Sequence, residues 1–374
     1  MSDASGAEYI QRTFLKYQHV FVFLAPLLFV TGVYFGAPLP TEAGGGGADY
    51  WLRWWWLFPF FLLGATIVNT VGISGSALFV PYLIFVFPWL ATTFAPDALV
   101  SANLDPETIV KIGLISESFG LSSSALAFIQ YGLVDRKLAL SLVGGAVPFV
   151  VGGALLSFII PAPVFRFLLG VALIAAAFLL FRVDLDHEAP DEDEAGEDAA
   201  VSADGGRLPD DEDKLGPAGV DTADDGKVTR VDRDGNDYHY TRGGWTERFG
   251  NYSIGGVFQG LAGFGIGELG IISMLRTEVP VRVAIGTNHI VVALTAVLAS
   301  LVHVFGGGLV GGHAIDLAST PWNMVVWTVP ATVTGGQIAP YVASRLDTEL
   351  LKQGVGVLFA IIAVALFVIA AGAI

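Results

Sequence analysis

The chain has 374 residues, 53% of them hydrophobic and 14% charged, with a mean hydropathy of +0.64. That balance belongs to a protein whose solvent is lipid. A net charge of -16 leaves no basic stripe for nucleic acid, and zero cysteines exclude disulfides and thiol chemistry. The charge is concentrated: residues 184–247 hold 21 of the 35 acids and 6 of the 19 basic residues, a balance of -15 that leaves -1 for everything else.

In chain order, residues 1–16 are expected to be a cytoplasmic N-terminus and 17–36 an extra transmembrane helix. The apolar part of 17–36 is too long, and the charge before it too weak, for a signal peptide. A first transmembrane repeat spans 54–183, with apolar stretches near 54–94, 108–133, 138–160 and 164–183, each long enough for ~30 Å of hydrocarbon. The segment 184–247, with DEDEAGED (191–198) and DDED (210–213), has too little apolar surface to fold as a core. It reads as a solvated, mostly disordered cytoplasmic loop suited to a high-salt, halophilic cytoplasm. Within it, KVTRVDRDGNDYHYTR (227–242) alternates about Asp234-Gly235 and predicts a surface hairpin. Asp232, Asp234, Asn236 and Asp237 imitate the start of a calcium loop, without the glycine and the final glutamate such a loop needs. A second repeat, 250–374, has apolar stretches at 250–276, 282–305, 321–344 and 351–373.

Each repeat opens on a glycine-broken string, GISGSALFVP (72–81) and GFGIGELGII (263–272), roughly 190 residues apart. Irregular backbone at membrane depth is tolerated only where protein or a cavity surrounds it, and a matched pair of breaks points to a transporter's binding site. The breaks also set the topology. If each broken element crosses once, the basic residues scatter over both faces. If each crosses twice or re-enters, the repeats are inverted, and Arg136, Lys137, Arg248, Arg276 and Arg282 share one side with the N-terminus and the acidic loop. The positive-inside rule selects the second arrangement. The fold class is therefore an all-α integral membrane protein of two inverted repeats with Gly-broken or re-entrant elements, plus the extra N-terminal helix. Trp51, Trp54, Trp55 and Trp56 are expected in the outer interfacial belt.

No Lys or Arg falls in the middle of a predicted span, so an anion would depend on backbone N–H groups at half-helix N-termini and on hydroxyl and amide side chains. Gly75, Ser76, Gly265 and Gly267 follow the breaks and are candidate substrate contacts; close helix packing is the competing use of such small residues. Glu117 and Glu268 are the acids deepest in the predicted spans. They are candidates for proton coupling, because burial disfavours a carboxylate. Thr287, Asn288 and His289 form a polar triplet matched by Ser116, Glu117 and Ser118 in the first repeat. Thr287 and Asn288 are read as substrate contacts; His289, Ser116, Asn69 and Gln259 are read as supporting residues beside the breaks. No metal and no cofactor is expected. The expected partners are a small anion and the lipid bilayer, with no nucleic acid; homo-oligomerisation stays open.

The strings GVFQGLAGFGIG (256–267), PVRVAIGTN (280–288) and PATVTGGQIAPYVASRL (330–346), with weaker counterparts in GISGSALFVP and YGLVD (131–135), resemble the TauE/SafE family of sulfite-exporter (DUF81-type) membrane permeases. The resemblance covers about 54–373 apart from the acidic loop. It implies transport of a small sulfur-containing or organic anion driven by an ion gradient, and no enzymatic activity. Ser74 and Ser76, where the family often has a glycine run, and Glu268 depart from its pattern. Two alternatives stand beside this reading. GISG (72–75) matches the Gly-x-Ser-Gly of rhomboid-like intramembrane serine proteases, with Ser74 as nucleophile and His289 or His303 as base, which requires a Ser–His hydrogen bond. A membrane sensor or scaffold using the acidic loop is the other.

Overall fold

A computed structural model describes residues 17–38, 48–94, 104–182, 219–222, 226–232, 237–306 and 320–343, with Leu317 and scattered positions from 353 to 371. The acidic runs at 191–198 and 210–213 and most of the last apolar stretch, 351–373, lie outside these residues.

Helix α1 (Gln18–Gly36) turns Phe23, Leu27, Leu28 and Phe35 outward. A short α2 (Ala48–Leu52) leads into α3 (Leu57–Val71). Of the four tryptophans expected at the interface, Trp55 is exposed, while Trp51, Trp54 and Trp56 are buried against protein. Trp54 and Trp56 pack on Phe87 at 5.1 and 5.5 Å, and the Trp51 carbonyl accepts the Trp327 indole N–H at 2.7 Å. These rings fix a corner of the core, where large aromatic surfaces bury against one another.

After the first break, α4 runs over Ser76–Phe94 with a π-helical turn at Tyr82–Val86, directly after Pro81. Proline removes a backbone donor, and the wider turn absorbs the mismatch. Helix α5 (Pro106–Gln130) starts where Asp105 accepts the Thr108 N–H at 2.9 Å, with Pro106 in the first turn. Helix α6 (Arg136–Ser157) is capped the same way by Asp135, and α7 covers Ala162–Arg182. In the second half come α8 (Trp245–Ala262), α9 (Ile266–Arg276), α10 (Val281–Phe305) and α11 (Trp322–Ala343).

Five of the described segments are long and apolar enough to cross a membrane: Asp49–Thr70, Ser76–Phe94, Thr108–Gln130, Arg136–Ser157 and Val281–Phe305. The first broken stretch thus supplies two of them. The second does not: α9, with 11 residues, is about 16 Å long and cannot span alone. Helix α11 has 22 residues and carries Asn323, Thr328, Thr332 and Gln337, and is not among the five.

The halves interlock. Helix α3 packs on α11 just as α8 packs on α6, and α5 meets α11 just as α10 meets α6, with α5 against α10 between them. The seams are close: a Cβ at Gly335 would lie 2.8 Å from Ala65, and one at Gly260 would collide with the Val150 carbonyl. Small residues let membrane helices approach to that distance.

The all-α expectation misses one element. Strands β1 (Gly219–Thr222), β2 (Lys227–Val231) and β3 (Asp237–Thr241) form an antiparallel sheet. The expected hairpin is β2–β3, in register Lys227↔Thr241 to Val231↔Asp237. Its alternation buries Val228, Arg230, Tyr238 and Tyr240 on one face. That face is docked on the α5–α6 turn: Arg230 Nη1 donates to the Gly132 carbonyl at 2.8 Å, and the Tyr240 hydroxyl and Arg242 Nε donate to Asp135 Oδ2 at 2.7 and 2.8 Å.

Candidate functional site

Both breaks are made by glycines in the left-handed region. Gly72 ends α3 at φ 81°; Gly263 ends α8 at φ 86°, followed by Gly265 at φ 118°. Side chains disfavour that conformation, so these positions stop the helices without cost. The two breaks meet. A Cβ on Gly267 would sit 2.7 Å from Ser74 Oγ and 2.9 Å from Ser74 N, which leaves room only for hydrogen there.

Around this contact the sequence-nominated acids come together with donors from both halves. Glu268, in the first turn of α9, accepts the Gly265 N–H at 2.8 Å and the Ser74 N–H at 3.2 Å; the Ser74 hydroxyl is 3.3 Å from Oε2. The reach back to Gly265 is the carboxylate half of a capping box, and the bond to Ser74 ties it to the other half. Glu117, on α5, accepts the Ser76 N–H, the first of α4, at 2.9 Å. Gln259, on α8, links Glu117 to Ser74: its Nε2 lies 3.4 Å from Glu117 Oε1, and its Oε1 lies 3.4 Å from Ser74 Oγ. Glu117, Glu268, Gln259 and Ser74 are all buried. Each carboxyl therefore sits on the backbone donors of a half-helix N-terminus.

Asn288, on α10, holds the other side of the breaks. Its Nδ2 donates to the Gly267 and Gly72 carbonyls at 2.8 and 3.2 Å, and its Oδ1 accepts the Tyr252 hydroxyl at 2.7 Å. One amide satisfies a carbonyl from each half.

Other nominated residues lie elsewhere. Thr287 Oγ1 accepts the Asp135 N–H at 3.0 Å, against the α5–α6 turn. Ser116 bonds Thr328 at 2.6 Å and fastens α5 to α11; Ser118 bonds Ser300 at 2.9 Å on α10. His289 Nδ1 pairs with the Ile285 carbonyl at 2.8 Å, and its ring stacks on Phe128. Asn69 Nδ2 donates to Ala65 O in its own helix. Gly75 faces Phe79, whose ring would be 2.8 Å from a Cβ.

The protease geometry does not form. Among the described residues the Ser74 hydroxyl bonds to Glu268 and Gln259, while His303 Nε2 pairs with Gly260 O at 2.8 Å and His289 Nδ1 with Ile285 O. Among the described residues no group of three His, Asp or Glu could hold a metal. Two apolar fissures, about 270 and 320 Å³, run along α1, lined by residues such as Leu28, Phe119 and Trp322, not by the breaks.

Sequence reasoning missed Tyr252 as a partner of Asn288, and Asp135. The Asp135 carboxyl accepts Leu138 N–H, Tyr240 and Arg242, and its own N–H reaches Thr287. Burial pushes this carboxyl up, but those donors and the Arg242 charge outweigh it and hold it below its ordinary value. Burial lifts the Tyr240 hydroxyl to about 12, with Arg230 and Asp135 acting in opposite directions. The spacing of Asp135 from the start of an apolar run signalled its capping role, but nothing local signalled the sheet that docks on it.

Residues 57–366 match the sequence model of the family described as sulfite exporter TauE/SafE. No curated protein and no solved structure matches the chain.

Proposed function

We propose, from the premise that the chain belongs to the sulfite exporter TauE/SafE family, that this multi-pass membrane protein is a secondary transporter carrying a small anion through the meeting point of its two glycine breaks, with Glu117 and Glu268 coupling the passage to protons. Sulfite, a sulfonate or another small organic anion is the substrate class. The two repeats are inverted, and the acidic linker and N-terminus face the cytoplasm. The reciprocal packing of the halves supports this arrangement. So does the meeting of the Gly132–Asp135 turn, the docked sheet and the start of α10 at one end of the molecule.

The observation that carries the proposal is the convergence of both breaks on Glu117, Glu268, Gln259 and Asn288. The N–H groups an anion would use, those of Ser74, Ser76 and Gly265, are held by the protein's own carboxylates. A carboxylate and a substrate anion compete for the same donors. Adding a proton removes the carboxylate's charge and its claim on them, so anion and proton load together. Moving one half against the other then changes the side from which the breaks are reached.

The test is uptake into proteoliposomes of sulfite, sulfonates and small carboxylates, with and without a pH gradient. Glu268→Gln is expected to fold and to lose the pH dependence of flux. PH dependence equal to wild type would remove Glu268 from the coupling.

A further inference from the structure

The start of α8 buries a cation whose bonding is incomplete. Arg248 has no solvent exposure. Its Nε donates to Thr277 Oγ1 at 2.7 Å and its Nη2 to the Thr277 carbonyl at 3.3 Å. Its Nη1 has no hydrogen-bond partner. Nor does Arg248 form an ion pair among the described residues, because the nearby carboxylates are engaged: Asp135 pairs with Arg242 at 2.8 Å and Glu247 with Arg276 at 2.9 Å. The Thr277 carbonyl at the C-terminal end of α9 offsets part of the charge. A buried guanidinium with no ion pair is costly, and its unsatisfied N–H is a donor aimed into the protein with nothing to accept it.

The position is informative. Tyr252 lies four residues further along α8 and Gln259 seven beyond that, so the three share one helix face, and all are buried. Tyr252 reaches Asn288 and Gln259 reaches Glu117, both at the breaks. The buried face of α8 therefore leads from the docked sheet to the site. The groups that weigh most on Arg248 electrostatically are Tyr252, Asp135, Glu247 and Tyr240; Arg242 and Arg276 stand behind two of them, as the ion-pair partners of Asp135 and Glu247.

We propose that Arg248 is an anion-binding residue, which holds a small oxyanion on its unpartnered Nη1 at the sheet end of α8 before the anion passes Tyr252 to the breaks. A guanidinium suits sulfite, sulfonate or carboxylate oxygens, because its planar fork donates to two oxygens at once. The inference rests on the transport reading for the class of ligand, though not for the existence of the site.

The test uses the full-length chain with sulfite, methanesulfonate and acetate as probes, at constant ionic strength balanced with chloride. Thermal unfolding in detergent is followed against probe concentration, and flux is followed in proteoliposomes. Wild type should be stabilised by at least one probe. In Arg248→Gln the half-saturating concentration should rise about tenfold or more, as expected for loss of a charge-assisted hydrogen bond. Arg248→Lys, which keeps the charge and loses the fork, should rise several-fold and decides the matter if the Gln variant does not fold. A purely structural strut would lower the unfolding temperature and leave the half-saturating concentration where it was; that result overturns the proposal. So does a wild-type chain indifferent to all three probes. Arg248-dependent stabilisation without flux would sink the transport reading and leave this site standing. Flux untouched by Arg248→Gln would do the reverse.

Discussion

Asn288→Ala tests the clamp that holds the breaks together. The substitution removes three hydrogen bonds, to Tyr252 at 2.7 Å, to Gly267 O at 2.8 Å and to Gly72 O at 3.2 Å. Side-chain hydrogen bonds within membrane proteins average about 0.6 kcal/mol each, so the sum is about 2 kcal/mol. Tyr252→Phe removes one of the three without touching either break and should cost roughly a third as much. Unfolding of both variants in mild detergent, followed by denaturant titration, gives the difference. Hydrogen exchange at the amides of 73–76 and 265–268 should accelerate in Asn288→Ala and stay near wild type in Tyr252→Phe. If Asn288→Ala cost no more than Tyr252→Phe, the bonds to the two break carbonyls would contribute nothing, and the clamp would be removed from the account.

Two further outcomes follow from the same geometry. Gly267→Ala puts a methyl against Ser74 Oγ and backbone N; it should spread the breaks and lower flux at least tenfold, and flux within twofold of wild type would mean the breaks do not meet this closely. Asp135→Asn should loosen the sheet by on the order of 1–2 kcal/mol, read as faster exchange of the β2–β3 amides. The pH sign follows from a carboxyl held below its ordinary value. Its contribution is complete above about pH 4 and is lost as pH falls through the lower, folded value. Tyr240 from β3, Arg242 just after it, Arg230 from β2 and Arg248 from α8 are the groups that surround the sheet junction. Acid should therefore release the sheet in wild type, and the Asn variant should show little further acid effect.

The breaks were legible because a matched glycine string opens each half, and the meeting of Glu117, Glu268 and Gln259 because polar groups at that depth must have partners. The polar triplets misled for a geometric reason. Consecutive helical residues point about 100° apart, so Thr287, Asn288 and His289 cannot face one cavity. The structure sends them to Asp135, the breaks and Phe128 respectively. Ser116, Glu117 and Ser118 diverge in the same way, to Thr328, Ser76 and Ser300. The packing of Trp51, Trp54 and Trp56 against Trp327 and Phe87 was not legible, because hydropathy does not say which rings meet protein. The sheet was half legible: the β2–β3 alternation predicted the hairpin, while β1 and the docking depend on contacts distant in sequence.

The exchange of partners between halves has a consequence for biogenesis. Helix α3 and the hydroxyl-bearing side of α5 are completed by α11, which leaves the ribosome well after both; Ser116 bonds Thr328, and Ser123 bonds the Val333 carbonyl, across more than 200 residues of chain. The nascent first half thus waits in the bilayer with its serines and its glycine seam bare. Truncation before residue 322 should leave it a substrate for membrane quality control, and not a half-sized permease.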